Sequence, residues 1–190
     1  MAEGPGGFIQ CLIDFRNKEN HDYSVMENKK FWMNDKYYAI TLKIENEKQN
    51  ALDWEFFKSK NYFSRMKDYK YSIDLTYGKN DGNMLKTENL RYFVDEIIKQ
   101  RNSCELVTAD GGIELKTDSE YALQELYNVK LFFSEAITAF SCQKIEGVFI
   151  MKIYESFFDN TIDILRLLTL YYKKVKITKP HMSRPASSER

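Results

Sequence analysis

Short apolar runs alternate along this chain with longer segments whose apolar residues recur at helical spacing. Four of the short runs, at 37–42, 71–77, 104–109 and 148–154, are rich in β-branched and aromatic residues and predict strands. The run "KVKIT" at 174–178 predicts a fifth strand. Each run is too short for an ordinary helix, which supports the strand interpretation.

Apolar residues at three- and four-residue steps predict helices between these strands. The stretches concerned are 8–13, 86–100, 126–140 and 160–172. In the clearest of them the recurring apolar residues are Leu126, Val129, Phe133, Ile137 and Phe140. Residues 51–66 form a polar and aromatic stretch that is either helical or irregular.

This alternation of strands and helices predicts an α/β fold with a parallel or mostly parallel sheet that helices cover on both faces. In such sheets, ligands bind beyond the carboxyl ends of the strands. The residues that directly follow each predicted strand are therefore the ones to inspect for function.

Composition fits one soluble globular domain. The chain has 190 residues, of which 43% are apolar and 29% charged, and its formal net charge is zero. No apolar run approaches the roughly 18–20 residues that span a bilayer. Three widely spaced cysteines and two histidines do not have metal-ligand spacing, so we expect no metal site and a reducing compartment.

Polar or flexible groups follow several of the predicted strands. They are the Gly4–Gly7 loop near the chain start, Asn83, Asp110, Lys152 and Glu189. Each also has an ordinary structural explanation, since Gly/Pro and Asp-Gly-Gly sequences are common turns and a strand-end lysine can extend into solvent.

Lys152 is the hardest of these residues to explain as ordinary structure, because it lies within the apolar run "VFIMKIYESF". A half-buried ammonium needs a carboxylate partner, since desolvating an isolated charge is costly. Asp110 follows another strand of the predicted sheet and is the candidate partner.

Four segments together resemble a known family. "AEGPGGF", "TADGG", "MKIYESF" and "KPHMSRPASSER" occur in the order and at roughly the spacing of the FtsJ-like ribose 2′-O-methyltransferases. The closest resemblance is to the branch that methylates the first transcribed nucleotides of capped mRNA, and "YGKNDGNMLKTENLRYF" at 77–93 is similar to that branch as well.

The resemblance implies a Rossmann-like methyltransferase that uses S-adenosylmethionine. Members of the family share a Lys–Asp–Lys–Glu tetrad, in which Asp110, Lys152 and Glu189 match the last three positions. The cofactor positions that the resemblance implies are Glu3, Gly4, Pro5, Gly6, Gly7, Phe8, Asn83 and Asp110. Asn83 stands where many relatives carry an Asp that binds the adenine amino group, so adenine binding here depends on an amide oxygen.

The RNA partner that the resemblance implies is a capped 5′ end. Lysines and aromatic residues are concentrated in "YYKKVKITKPHMSR" at 171–184, a combination that suits single-stranded RNA. The RNA-binding positions we predict are Lys173, Lys174, Lys179, Arg184 and Ser187. A solvated strand edge with protective lysines is the alternative.

The chain also departs from the family. The first tetrad Lys and the strand before the cofactor loop belong upstream of Met1, and one more strand belongs after Arg190. We therefore expect 190 residues of a single methyltransferase domain that is incomplete at both ends, an excerpt of a longer protein.

Other functions stay open at the level of sequence. An rRNA or tRNA ribose methyltransferase and a catalytically inactive RNA- or cofactor-binding relative are the alternatives. The Asn-, Lys-, Tyr- and Phe-rich composition suits an A/T-rich genome. It favours viral capping in the cytoplasm, in a viral factory or virion, with the nucleus as the alternative location and other capping or transcription proteins as partners.

Overall fold

A computed structural model describes residues 1–2, 6–22, 35–43, 72–99, 103–181, 183 and 187–190. The chain divides into two compact units, one of residues 2–99 and one of residues 100–190 together with Met1. The predicted stretch 51–66 lies outside the described residues.

The first unit combines two helical segments with two strands. Helix α1 (Gly7–Asp22) precedes strand β1 (Lys36–Ile40), which pairs in parallel with strand β2 (Ser72–Thr76). Helix α2 (Thr87–Tyr92) continues directly as a π-helix (Phe93–Ile98). The strands predicted at 37–42 and 71–77 and the helix predicted at 86–100 are thus confirmed, with the last partly π-helical.

A small apolar cluster holds this first unit together. Ile9 and Ile13, four residues apart on α1, pack with Ala39 of β1. Tyr37, Ile73, Leu75 and Tyr77 cover this cluster as partly buried residues. The helical spacing in α1 and the alternation in the strands therefore bury one face of each element.

The second unit is built on a second parallel pair. Strand β3 (Cys104–Ala109) pairs with strand β4 (Gln143–Met151), and an irregularity in the register follows Cys104. Between them lie helices α3 (Asp118–Ala122) and α4 (Gln124–Cys142). Helix α5 (Asp159–Tyr171) follows β4. Two parallel pairs in the described residues support the α/β prediction broadly, but they form two sheets of two strands each.

Two predictions for this unit are wrong in detail. Residues 174–178 form no strand, although they are described. Strand β4 begins at Gln143 and ends at Met151, whereas the apolar run predicted 148–154. Gln143 pairs with Cys104 and Val148 with Leu106, so the polar residues 144–147 form an irregularity within β4 that the apolar run does not indicate.

Helix α4 is confirmed, but the stripe that predicted it is not its most buried face. Leu126, Phe133 and Ile137 are exposed, while Phe132 and Ala136 are fully buried. The buried face also contains polar residues that bind backbone groups of the neighbouring loops; they are Glu125, Asn128 and Glu135. Apolar periodicity alone does not detect such a face.

The core of the second unit lies between α4, α5 and the end of β4. Phe132 and Ala136 of α4 pack there with Ile153, Tyr154, Ile164 and Leu168. Glu125 accepts hydrogen bonds from the backbone N–H groups of Phe157 and Phe158, at 2.9 and 3.0 Å. This buried carboxylate fixes the start of α5, where free N–H groups favour a negative charge.

Candidate active site

Lys152 follows directly on strand β4 and remains tied to β3. Its backbone N–H donates to the carbonyl of Ala109 at 2.9 Å, so the parallel pairing continues one residue beyond the strand. Its side chain is 21% exposed, which leaves the ammonium group at the edge of the folded unit. The buried Ile153 that follows fixes the direction of Lys152, because successive side chains point to opposite sides.

Asp110 is the closest acidic partner of this ammonium. Lys152 Nζ lies 2.8 Å from Asp110 Oδ1 and donates to the carbonyl of Asp110 at 3.1 Å. Both residues occupy the first position after their strands, β4 and β3 respectively. The pairing expected from sequence is therefore present, and it follows from the parallel register that aligns Ala109 with Met151.

Glu189 reaches the same ammonium from the end of the chain. Its Oε1 lies 3.9 Å from Lys152 Nζ. The neighbouring Arg190 exchanges two backbone hydrogen bonds with Ile153, at 2.8 and 2.9 Å, an antiparallel pair that holds the tail against the end of β4. Asp110, Lys152 and Glu189, which are far apart in sequence, thus meet at one place.

The surroundings keep Lys152 charged. Burial is the largest influence on its pKa and acts to lower it. The hydrogen bond to Asp110 and the nearby side chains of Tyr154 and Glu189 outweigh burial, so the pKa of Lys152 lies above its usual value. The Tyr154 ring is 5.7 Å from the ammonium, and burial raises the pKa of its hydroxyl. In this arrangement Lys152 is a held cation that donates hydrogen bonds.

Glu135 was missed by the sequence analysis. It lies fully buried beneath the loop that follows Asp110. Its Oε1 accepts from the backbone N–H of Gly111 at 3.0 Å, and its Oε2 has no hydrogen-bond partner among the described residues. Burial raises the pKa of Glu135 to about 7. An acidic residue inside the apolar run "LFFSEAITAF" was the available signal.

The backbone after Asp110 passes close to these groups. A Cβ at Gly111 would lie 2.4 Å from Glu135 Oε1 and 2.7 Å from a methyl group of Leu131. Asn128 accepts from the backbone N–H of Ile113 at 2.8 Å and donates to the carbonyl of Gln124 at 2.7 Å. The loop at residues 110–113 therefore has two N–H groups, those of Gly111 and Ile113, bound by side chains of α4.

The cofactor positions implied by the resemblance lie mostly in the first unit. Glu3, Gly4 and Pro5 are outside the described residues. Gly6 has a φ of 105°, a conformation that favours glycine. Gly7 begins α1, and a Cβ at this position would meet no atom within 4 Å. Phe8 is half-buried.

Asn83 lies in a polar turn of the first unit. The side-chain oxygen of Asn83 accepts from the backbone N–H of Leu85 at 2.9 Å. The backbone N–H of Asn83 donates to the carboxylate of Asp81 at 3.1 Å. The hydrogen bond from Lys86 is the largest of the influences that lower the pKa of Asp81 to about 2. The amide oxygen predicted to bind adenine thus already accepts one hydrogen bond and has a second lone pair available.

The predicted RNA-binding residues differ in their surroundings. Lys173 and Lys174 are exposed, and Arg184 lies outside the described residues. Lys179 donates to the carbonyl of Ser187 at 2.6 Å and to the hydroxyl of Ser183 at 3.1 Å. The hydroxyl of Ser187 in turn accepts from the backbone N–H of Glu189 at 3.3 Å.

The two tyrosines that open this segment are placed differently from each other. Tyr172 packs against Phe140 and Phe149 and hydrogen-bonds to Gln143, and burial raises the pKa of its hydroxyl to about 12. Tyr171 is 67% exposed beside Phe140. Only Tyr171 of this pair therefore offers a ring to solvent.

The cysteines divide in a way that their spacing does not indicate. Cys11 is exposed, whereas Cys104 and Cys142 are neighbours in the second unit, where the Cys142 thiol donates to the carbonyl of Ala139 at 3.8 Å. The interaction between the two thiols lowers the pKa of Cys104 to about 7 and, together with burial, raises that of Cys142. The pair joins the start of β3 to the end of α4.

A comparison with protein families matches residues 1–190 to the family described as "FtsJ-like methyltransferase". The chain belongs to the FtsJ-like methyltransferase family. The family match covers every residue, including both strand-end loops and the tail that carries Glu189.

Relatives at the protein level agree with this family. The chain is 38% identical over 195 residues to a cap-specific mRNA (nucleoside-2′-O-)-methyltransferase 1 of Dictyostelium discoideum, covering 100% of the chain and 24% of that protein. It is 26% identical over 196 residues to the Homo sapiens protein of the same description, covering 100% of the chain and 20% of that protein.

A viral relative is similar as well. A probable methyltransferase of African swine fever virus is 27% identical over 193 residues, with 99% of the chain and 41% of that protein covered. The chain thus spans less than half the length of the curated relatives it matches. The resemblance to methyltransferases of the cap-specific type, inferred from sequence, is confirmed at the level of family and relatives.

Membrane spans and metal clusters are both absent from the part of the chain that the structure describes. No helix there is both long enough and apolar enough to cross a bilayer. Within the same ranges, no three His, Cys, Asp or Glu side chains are grouped so that they would hold a metal ion.

Proposed function

We propose that this protein transfers a methyl group from S-adenosylmethionine to a ribose 2′-hydroxyl of RNA, at the cap-proximal nucleotide of mRNA. The observation that carries the proposal is the meeting of Asp110, Lys152 and Glu189, with Lys152 Nζ 2.8 Å and 3.9 Å from the two carboxylates. These are the three residues that match the family tetrad.

Lys152 is the residue we assign to the reacting hydroxyl. A ribose hydroxyl is a weak nucleophile, so it must be held in line with the methyl group, and such positioning contributes about 7–11 kcal/mol in favourable cases. Asp110 accepts one ammonium N–H at 2.8 Å, which leaves a further N–H of Lys152 to hold the hydroxyl oxygen.

The same environment explains how Lys152 takes part in proton transfer. Its raised pKa keeps the ammonium charged, and this charge stabilises the negative charge that develops on the attacking oxygen. To act as a base, Lys152 must first release a proton to solvent; burial favours that release, whereas Asp110 and Glu189 oppose it. Lys152 is therefore both the positioning group and the candidate base.

The described residues are compatible with the cofactor. Gly6 has the left-handed backbone suited to a close approach, and the space beside Gly7 is open for 4 Å. Asn83 retains a free lone pair for an adenine amino group. When bound, S-adenosylmethionine supplies an activated methyl group.

The cap-proximal substrate is supported by the relatives and by the exposed basic segment. Cap-specific enzymes are among the relatives that cover the chain from end to end. Exposed Lys173 and Lys174 suit the phosphates of a single-stranded 5′ end, and the ring of Tyr171 suits a base. We place this activity in cytoplasmic viral capping, as the composition suggests.

The test is a methyl-transfer assay with the complete protein on capped and uncapped RNAs of the same sequence, followed by mapping of the modified ribose. The proposal predicts a 2′-O-methyl group near the cap and much slower transfer to uncapped RNA. Equal transfer to both RNAs, or methylation within rRNA or tRNA, would contradict the cap assignment.

Variants of two lysines complete this test. Lys152→Ala is expected to lower kcat by about 10²–10⁴-fold, the usual contribution of a residue in proton transfer. Lys144→Ala, which alters a lysine near the start of β4 that pairs with Glu105, is the matched control and should leave kcat unchanged. Wild-type transfer by Lys152→Ala would refute the site.

A further inference from the structure

The tail that carries Glu189 is held at three points. Arg190 pairs with the backbone of Ile153, and the hydroxyl of Ser188 donates to Gln124 of α4 at 3.5 Å. The third tie lies before Glu189, where the ammonium of Lys179 binds the carbonyl oxygen of Ser187 at 2.6 Å. Glu189 thus lies between a strand-like pair on one side and a lysine-bound carbonyl on the other.

The Lys179 bond is the shortest side-chain hydrogen bond of this tail; Arg190 also donates to the carbonyl of Ser187, but at 3.4 Å. A charged donor makes a shorter and stronger hydrogen bond than a neutral one, and the 3.5 Å contact of Ser188 is long by comparison. Lys179 also donates to Ser183 at 3.1 Å, so one ammonium joins two points of the segment.

Ser187 transmits this tie to the active site. Its carbonyl accepts from Lys179, while its hydroxyl accepts from the backbone N–H of Glu189 at 3.3 Å. Fixing Ser187 therefore fixes the backbone from which the Glu189 side chain extends. Since Glu189 Oε1 is 3.9 Å from Lys152 Nζ, a small shift of the tail removes the carboxylate from the ion pair.

We propose that Lys179 is a positioning residue for methyl transfer, whose ammonium binds the Ser187 carbonyl and so sets Glu189 beside Lys152. This inference rests on the proposed function, because the role of Glu189 depends on it. It differs from the sequence prediction, in which Lys179 contacts RNA. The two roles make opposite predictions for rate and affinity.

The test compares four variants of the complete protein: Lys179→Met, Lys179→Arg, Glu189→Gln and the control Lys176→Met. Lys176 is an exposed lysine of the same segment, with no hydrogen-bond partner among the described residues. Single-turnover rates are measured at saturating capped RNA, and RNA affinity is measured separately over a range of salt concentrations.

A positioning role predicts a loss of rate without a loss of affinity. Lys179→Met should lower the single-turnover rate by about 10–100-fold, since a displacement of about 1 Å has effects of that size. Lys179→Arg should restore most of the rate, because a guanidinium also donates to a carbonyl. Lys176→Met should keep the wild-type rate.

An RNA-contact role predicts the reverse and would overturn the inference. Lys179→Met would then keep the saturated rate, weaken RNA binding and reduce the slope of log affinity against log salt by about 0.7, the value for one phosphate on a single strand. A rate for Lys179→Arg as low as that of Lys179→Met would also overturn it.

The double variant separates positioning from a general loss of stability. If Lys179 acts through Glu189, Lys179→Met combined with Glu189→Gln should be no slower than Glu189→Gln alone. A double variant slowed by the product of both factors would contradict the inference. Wild-type transfer by Lys152→Ala would instead refute the proposed function itself, whatever the Lys179 variants do.

Discussion

The turn at residues 76–89 and the loop at residues 110–113 both follow a strand of a parallel pair, yet their side-chain hydrogen bonds span different distances along the chain. In the turn, the side chain of Asn89 binds the backbone N–H of Asn80, nine positions away, and the carboxylate of Asp81, eight positions away. In the loop, the partners Asn128, Glu135 and Lys152 lie 15, 24 and 42 positions away.

This difference separates a local structural element from an assembled site. The turn forms its polar network from its own sequence, so it needs little from the rest of the fold beyond backbone contacts. The loop obtains each partner from another element. Its geometry therefore depends on the correct folding of β3, β4, α4 and the tail. A candidate active site of the second kind depends on the whole unit.

The largest expected effect concerns the backbone contact of the local turn. Gly82 has a φ of 70°, and a Cβ there would lie 1.7 Å from the carbonyl oxygen of Thr41. Gly82→Ala should therefore lower the free energy of unfolding by about 4 kcal/mol, from strain and steric overlap together.

Thermal unfolding of this variant is compared with that of Gly7→Ala, since a Cβ at Gly7 meets no atom within 4 Å. The control should change stability by no more than about 0.5 kcal/mol. Equal midpoints for the two variants would show that the turn does not need the close approach of Gly82 to Thr41.

The next effect concerns the buried carboxyl of the assembled loop and depends on pH. Because burial raises the pKa of Glu135 to about 7, the folded state keeps its proton above the pH at which the unfolded chain releases it. Stability from this group is complete below the ordinary Glu pKa and is lost as pH rises toward 7, by about 3 kcal/mol.

Glu135→Gln removes this titration. The free energy of unfolding, obtained from thermal unfolding between pH 4 and 8, should therefore fall less with rising pH in the variant than in the wild type. The difference in this fall should be about 3 kcal/mol at most. Glu114→Gln, which alters an exposed residue of the same unit, serves as the control. Parallel curves for the wild type and Glu135→Gln would contradict the role of the buried carboxyl.

These two regions also show what the sequence predicts and what it does not. The turn contains "YGKNDGN", whose glycines, Asp and Asn act on their near neighbours, although the sequence analysis selected only Asn83 from it. The positions of Asp110 and Lys152 after their strands followed from the apolar runs, and their pairing follows from the parallel register. Glu189 was selected as a residue that follows the predicted strand at 174–178, which does not form, and its role came from the family resemblance.

The remainder depends on tertiary contacts that periodicity does not encode. Glu135 was not selected from the sequence, since its role depends on the Gly111 N–H that it binds in the folded unit. Lys179 was grouped with the other lysines of its segment, because the carbonyl of Ser187 approaches it only in the folded tail. The predicted strand at 174–178 does not form, because no strand among the described residues lies beside this alternating run to supply backbone partners.

The smallest effect is expected in the side-chain network of the local turn. The hydrogen bond from Lys86 is the main reason that the pKa of Asp81 is lowered to about 2. Its stabilisation is present above the ordinary Asp pKa and is lost as pH falls toward 2. Because both side chains are substantially exposed, solvent screening keeps this stabilisation small.

Asp81→Asn should accordingly lower the thermal midpoint slightly at neutral pH and have no effect near pH 2. Asp74→Asn, at an exposed position of the adjacent strand β2, is the control. A loss as large as that of Gly82→Ala would contradict the view that the side chains of this turn form a modest, local network.

The most direct test of the account is whether Asp110 and Lys152 act as one unit in methyl transfer. Single-turnover rates are measured for Asp110→Asn, for Lys152→Ala and for the double variant, with capped RNA and the complete protein. Because Asp110 Oδ1 binds Lys152 Nζ at 2.8 Å, we expect the double variant to be about as slow as Lys152→Ala alone. A double variant slowed by the product of the two single effects would contradict the assembled site.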